Sequence, residues 1–137
     1  YIIDELLKRM EDEEVVVVHM SDHGEEAFGN GQPLYGRLHS AVVDYRLAHE
    51  EFEVPFWIWT SKKYRKAHPD VMRRIKAASH LPFMTDNISH LLLYLAGISC
   101  PDYRSDYCPL EDDYNAQRPR ILKGQVDYNK LIEEKED

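Results

Sequence analysis

The chain has 137 residues, the length of one ordinary domain and not of two. Its 43% hydrophobic and 31% charged residues exclude collagen-like and low-complexity chains, and no apolar run approaches the roughly 18 to 20 residues that span a bilayer. With 25 Asp and Glu against 17 Lys and Arg the net charge is -8, which argues against nonspecific attraction to nucleic acid or anionic lipid.

Residues 1 to 11 place Ile2, Ile3, Leu6, Leu7 and Met10 at helical spacing, with Asp4, Glu5, Lys8 and Arg9 opposite, and predict an amphipathic helix. The β-branched run Val15 to Val18, then His19 and Met20, is apolar on both faces and suits a strand buried in a parallel sheet. It stops at Ser21-Asp22-His23-Gly24, and residues 25 to 38 read as a loop punctuated by Gly29, Gly31, Pro33 and Gly36. Residues 40 to 51 fit either helix or loop. Val54 to Trp59 reads as a second core strand, its Pro55 tolerable near a strand's start. His68-Pro69-Asp70 opens a helix whose Arg73, Arg74 and Lys76 form a solvated face. Thr85-Asp86-Asn87 is expected to cap a further helix, with Ile88, Leu91, Leu92 and Leu95 on its apolar face and Gly97 as its stop. From Ile98 onward irregular structure is expected, ending in a charged and disordered stretch, Glu133 to Asp137. The result is an α/β arrangement, a mainly parallel sheet flanked by helices, and in such sheets ligands bind beyond the carboxyl ends of strands.

That rule singles out Asp22 and His23. A carboxylate and an imidazole both suit a divalent zinc, but a catalytic site needs about three protein ligands, so the pair is a partial site. By itself it equally fits a turn-capping Asp and a solvated His. His19 stands four residues before His23, but the valines ahead of it argue for a strand, and it reads as a hydrogen-bonded residue at the core's edge. His39 closes the glycine-rich loop that begins at Asp22-His23 and is placed to return a third ligand or a phosphate contact. Cys100 and Cys108 have a spacing that suits either a small disulfide loop or two unpaired thiols; two thiolates alone do not make a zinc site.

The stretch VVVVHMSDHGEE, the glycine-rich loop, LYGRLH and then EVPFWIWTSKKY resemble the C-terminal half of the catalytic domain of the phosphoethanolamine transferases. These belong to the sulfatase-like branch of the alkaline phosphatase superfamily. The resemblance covers about residues 1 to 97 and rests mostly on SDHGE. It implies that residues 1 to 124 are a C-terminal part of a sulfatase-like catalytic domain and 125 to 137 a charged tail. Asp22 and His23 would bind the catalytic zinc, and His39 would contact the phosphoryl group or a second zinc as a catalytic residue. Where the family often has Tyr-Leu-His-Gly, this chain has Tyr35-Gly36-Arg37-Leu38-His39-Ser40. Glu51-Phe52-Glu53 before Val54-Pro55 lacks the paired glycines and arginine of arylsulfatases, which favours a transferase.

The implied reaction moves phosphoethanolamine from phosphatidylethanolamine to a lipid A or other glycan acceptor through a threonine nucleophile. In the family that threonine and the membrane-spanning helices lie upstream of the helix at residues 1 to 11, so the isolated chain is expected to lack turnover. The implied partners are a phospholipid donor, a glycolipid or glycan acceptor and the N-terminal part of the same protein. The implied setting is a bacterial inner membrane with the catalytic domain in the periplasm, where a disulfide between Cys100 and Cys108 is favoured. Two alternatives stand beside it: a sulfatase or phosphodiesterase with calcium in place of zinc, and a noncatalytic module with a degenerate metal site.

Overall fold

The structure is a computed structural model that describes residues 1–26 and 42–136. In chain order its helices are α1 (Ile2–Met10), α2 (Tyr45–Phe52), α3 (Lys62–Ala67), α4 (Pro69–Ala78), α5 (Ile88–Leu95) and α6 (Tyr128–Glu136). Its strands are β1 (Val16–Met20), β2 (Phe56–Thr60), β3 (Ile121–Leu122) and β4 (Val126–Asp127). They fall into two compact units, Tyr1–Val18 with Ile58–Arg118, and His19–Trp57 with Pro119–Asp137.

β1 pairs with β2. At one end Ser61 N–H donates to Val15 O (3.0 Å), and at the other Ser21 N–H donates to Pro55 O (3.2 Å). Partner numbers fall along β2 as they rise along β1, so the pair is antiparallel. This corrects the parallel arrangement read from the two-sided apolar runs. Neither strand is fully buried: all residues of β1 and all but Thr60 of β2 keep some exposure. An apolar run on both faces thus reports which residue types are present and not the direction of the neighbouring strand.

In the first unit α1 forms where periodicity predicts it, but buries none of its residues; Ile2 and Ile3 stay exposed, and Lys8 bridges to Asp4 at 2.7 Å on the polar side. The helix α3, not foreseen in the sequence, starts on a side chain that does several jobs. Ser61 is fully buried, and its hydroxyl accepts from Tyr64 N–H (3.1 Å) as a helix cap and from Val15 N–H (3.2 Å) at the start of β1. The same hydroxyl donates to Glu13 O. Removing it with Ser61→Ala leaves the buried Tyr64 N–H and the part-buried Val15 N–H without that acceptor and is expected to cost about 2 kcal/mol, read as a lowered urea midpoint.

α4 begins as expected, with Pro69 in its first turn. α5 is preceded by a single 3-10 turn, Thr85–Asn87, and no side chain caps it. The predicted cap is replaced because Asn87 is buried and its Oδ1 instead accepts from Arg118 (2.7 Å), while Asp86 pairs with the same guanidinium. Gly97 does end α5: at φ +65° it lets Ile98 N–H reach Leu93 O (2.9 Å) and Gly97 N–H reach Tyr94 O (3.0 Å), a Schellman closure. Leu91, Cys108, Leu110 and Tyr64 are the buried residues of this unit's core. Cys100 and Cys108 are free thiols, and burial pushes the Cys108 thiol above its ordinary range.

In the second unit Asp44 caps α2 by accepting from Leu47 N–H (2.8 Å). The chain after Pro119, expected to be irregular, forms the antiparallel hairpin β3–β4 and then α6. Lys123 and Gly124 take left-handed φ values of 49° and 69° to make the hairpin turn. Val43 and Ala48 meet Leu122 and Tyr128 in one cluster, and Leu131 and Ile132 of α6 pack against it. The charged end is helical because Tyr128, Leu131 and Ile132 give it an apolar stripe among its charges.

Candidate metal-ligating turn

The second unit holds the turn that follows β1. Ser21 makes the last ladder bond to Pro55 O, and beyond it the chain leaves strand geometry. In a continuing strand Asp22 and His23 would point to opposite faces. Here short local bonds bring them to one side. Ser21 Oγ donates to His23 O (2.8 Å), and Asp22 Oδ1 accepts from His23 N–H (3.1 Å). Asp22 Oδ2 then lies 3.7 Å from His23 Nε2.

The ring nitrogen Nδ1 of His23 is 2.9 Å from Gly24 O. A carbonyl can only accept, so Nδ1 carries the proton and, in the neutral ring, Nε2 carries the lone pair. This is the arrangement of a metal-ligating histidine, whose second nitrogen is held by a carbonyl or carboxylate. Zinc bonds of about 2.1 Å in a tetrahedron separate neighbouring ligand atoms by about 3.4 Å, close to the separation seen here. The donor set, one carboxylate oxygen and one imidazole nitrogen, therefore fits zinc. Asp22 is exposed and His23 half-buried, so both face accessible space.

Gly24 places the turn on α2. Its N–H donates to Glu51 O (2.9 Å), and a Cβ added at Gly24 would sit 2.1 Å from Glu50 O. Only a residue without a side chain allows the helix end that close. Two residues on, Glu26 is buried and its carboxylate meets Arg46 Nη1 at 2.6 Å. Its neighbour Glu25 is exposed. Arg46 lies one helical turn before Glu50, a spacing the sequence displays, but its pairing with Glu26 spans 20 residues of sequence and gives no local signal.

Of the candidate residues, Asp22 and His23 come together, whereas His39 lies outside the described residues. Among the described residues no three His, Cys, Asp or Glu side chains converge on one point. His19 does not join the turn. Its ring stacks on Trp57 with centroids 4.8 Å apart, and its buried Nδ1 has no hydrogen-bond partner among the described residues, in place of the bonded core-edge histidine expected. In the other unit His90 accepts from Arg104 N–H (3.2 Å) and meets Tyr107 edge-on, a packing role.

No protein-family model matches the chain. Among curated proteins it is 34% identical over 110 residues to the phosphoethanolamine transferase EptA of Salmonella typhimurium, and 31% identical over 110 residues to EptA of Escherichia coli strain K12. Each match takes in 77% of this chain but 19% of the relative, so the chain spans about a fifth of the length of the relatives it matches. Among solved structures it superposes on the C-terminal periplasmic domain of EcEptC from Escherichia coli in complex with Zn, with a TM-score of 0.67 and 22% identity, covering 95% of this chain and 36% of that domain. A second structure of that domain gives a TM-score of 0.60 at 23% identity, covering 85% of this chain and 32% of the domain. The fold is that of the matched third of this periplasmic domain.

Proposed function

The chain corresponds to a C-terminal part of the phosphoethanolamine transferases, and on that footing we propose that it supplies the Asp22 and His23 ligands of a zinc site in such an enzyme. The observation that carries the reading is the convergence of Asp22 Oδ2 and His23 Nε2 at 3.7 Å, with Nδ1 engaged by Gly24 O. Zinc bound there would polarise a nonbridging phosphoryl oxygen and lower the pKa of a hydroxyl nucleophile. Asp22 contributes negative charge. His23 contributes a neutral donor whose orientation is set by the Gly24 carbonyl. His39 is proposed to contact the transferring phosphoryl group, as a hydrogen-bond donor or as an acid toward the leaving oxygen.

The proposed reaction breaks the phosphodiester of phosphatidylethanolamine, releasing diacylglycerol, and passes phosphoethanolamine through a threonine of the longer protein to a lipid A or other glycan acceptor. The proposed setting is the periplasmic side of an inner membrane; among the described residues no helix is long and apolar enough to cross one. The similar curated proteins are transferases and the solved domain holds Zn, which supports zinc over calcium and transfer over sulfate hydrolysis.

The test uses the full-length protein with phosphatidylethanolamine vesicles and lipid A, followed by mass spectrometry. Phosphoethanolamine on the acceptor and an equal amount of diacylglycerol, both lost on zinc chelation and regained on adding zinc, are the expected result. Free phosphoethanolamine with an unmodified acceptor would instead show a hydrolase. No turnover together with no bound metal would show a noncatalytic module.

A further inference from the structure

We infer that Arg46 is a positioning residue for the Asp22–His23 turn, acting through the buried carboxylate of Glu26. The inference rests on the zinc reading of that turn. Past Ser21 the backbone carrying Asp22 and His23 is tied to α2 at two places. One is the bond from Gly24 N–H to Glu51 O at the helix's C-terminal end (2.9 Å). The other is Glu26, whose side chain is only 2% exposed and whose Oε1 lies 2.6 Å from Arg46 Nη1 in the first turn of the same helix.

The same Nη1 stands 3.3 Å from both carboxylate oxygens of Glu50, and Glu50 is the residue whose carbonyl abuts Gly24. Arg46 therefore joins the residue that follows the turn to the helix end against which the turn rests. A carboxylate as deep as that of Glu26 is tolerated because a cation meets it. Without the guanidinium it would move toward water, and its backbone would follow. Only Gly24 and Glu25 separate Glu26 from His23, so that movement reaches the ring whose Nδ1 is held by Gly24 O. A lysine at position 46 keeps the charge but not the guanidinium's set of donors, and serves the two carboxylates less well.

Loss of stability alone would be a weaker explanation, and a destabilising change away from both the turn and α2 separates the two. The buried Ser61 hydroxyl holds Tyr64 N–H, Val15 N–H and Glu13 O, which lie outside the turn and α2. The experiment measures zinc affinity of the full-length protein by competition with a chelator, at a temperature where each variant is folded. Arg46→Met is expected to weaken zinc binding by about 10- to 100-fold, the range for partners that orient ligands, and Arg46→Lys by less. Ser61→Ala is expected to lower the melting temperature while leaving zinc affinity within about twofold of the parent, outside that range.

Parent-like zinc affinity in Arg46→Met overturns the inference, as does an equal loss in Ser61→Ala. Should Arg46→Met fail to fold, Arg46→Lys decides: a several-fold loss supports the role, and parent-like binding overturns it. Asp22→Ala, run alongside, distinguishes the two levels. Unchanged zinc affinity in Asp22→Ala removes the metal site itself, and this inference with it. Weakened binding in Asp22→Ala beside parent-like Arg46 variants removes the role of Arg46 alone.

Discussion

Replacing His23 with alanine in the full-length protein is expected to weaken zinc binding by more than the roughly 10- to 100-fold that loss of an orienting partner costs, and to abolish phosphoethanolamine transfer. The reason is geometric. Asp22 Oδ2 and His23 Nε2 stand 3.7 Å apart, and removing either leaves one donor from this turn. Folding should change little, since Asp22 is exposed, His23 is half-buried, and the bonds of the His23 ring are to its own neighbours, Asp22 and Gly24. His23→Gln sharpens the test, because an amide fills similar space yet is a poor zinc ligand. Metal analysis with a circular dichroism melt reads both quantities. A folded His23→Ala protein with its full complement of zinc would end the metal reading.

Gly24→Ala is expected to do the opposite, damaging the fold and the site together. The new methyl would stand 2.1 Å from Glu50 O and 3.2 Å from the carbonyl carbons of Glu50 and Glu51. All three are backbone atoms at the end of α2, so no side chain can swing aside to make room. Either the helix end or the turn must retreat, breaking the bond from Gly24 N–H to Glu51 O. The expected cost is about 3 kcal/mol, the upper end for overpacking, measured by urea unfolding. Zinc affinity falls with it, because the carbonyl that holds His23 Nδ1 belongs to the displaced residue. A variant with the parent's unfolding midpoint and zinc affinity would show that the close approach is not required.

The site was legible in part. Asp22 and His23 stand out because a valine run ends at them and a glycine follows, and local bonds of one to two residues' reach complete their geometry. Nothing in the spacing announces Glu26 and Arg46, which meet across 20 residues, or the helix end that Gly24 touches. Ser61 likewise looks like one more polar residue after a strand. Its importance arises from Glu13 and Val15, which only the chain's return brings to it.

By itself the sequence determined the elements with strong periodicity or strong punctuation: α1, β1, β2, α4, and α5 with its stop at Gly97. These follow from side-chain pattern and backbone freedom within a few residues, which is information a sequence carries directly. Tertiary structure decided the antiparallel pairing of β1 with β2, the short elements after Pro119 and the exchange of a helix cap for the Arg118 contacts of Asp86 and Asn87. It also decided which glutamate after the turn is held: Glu25 faces solvent and Glu26 is buried, although they are neighbours of one residue type. Adjacent residues differ in this way because burial of a carboxylate is tolerated where a cation meets it, and Arg46 meets only one of the two.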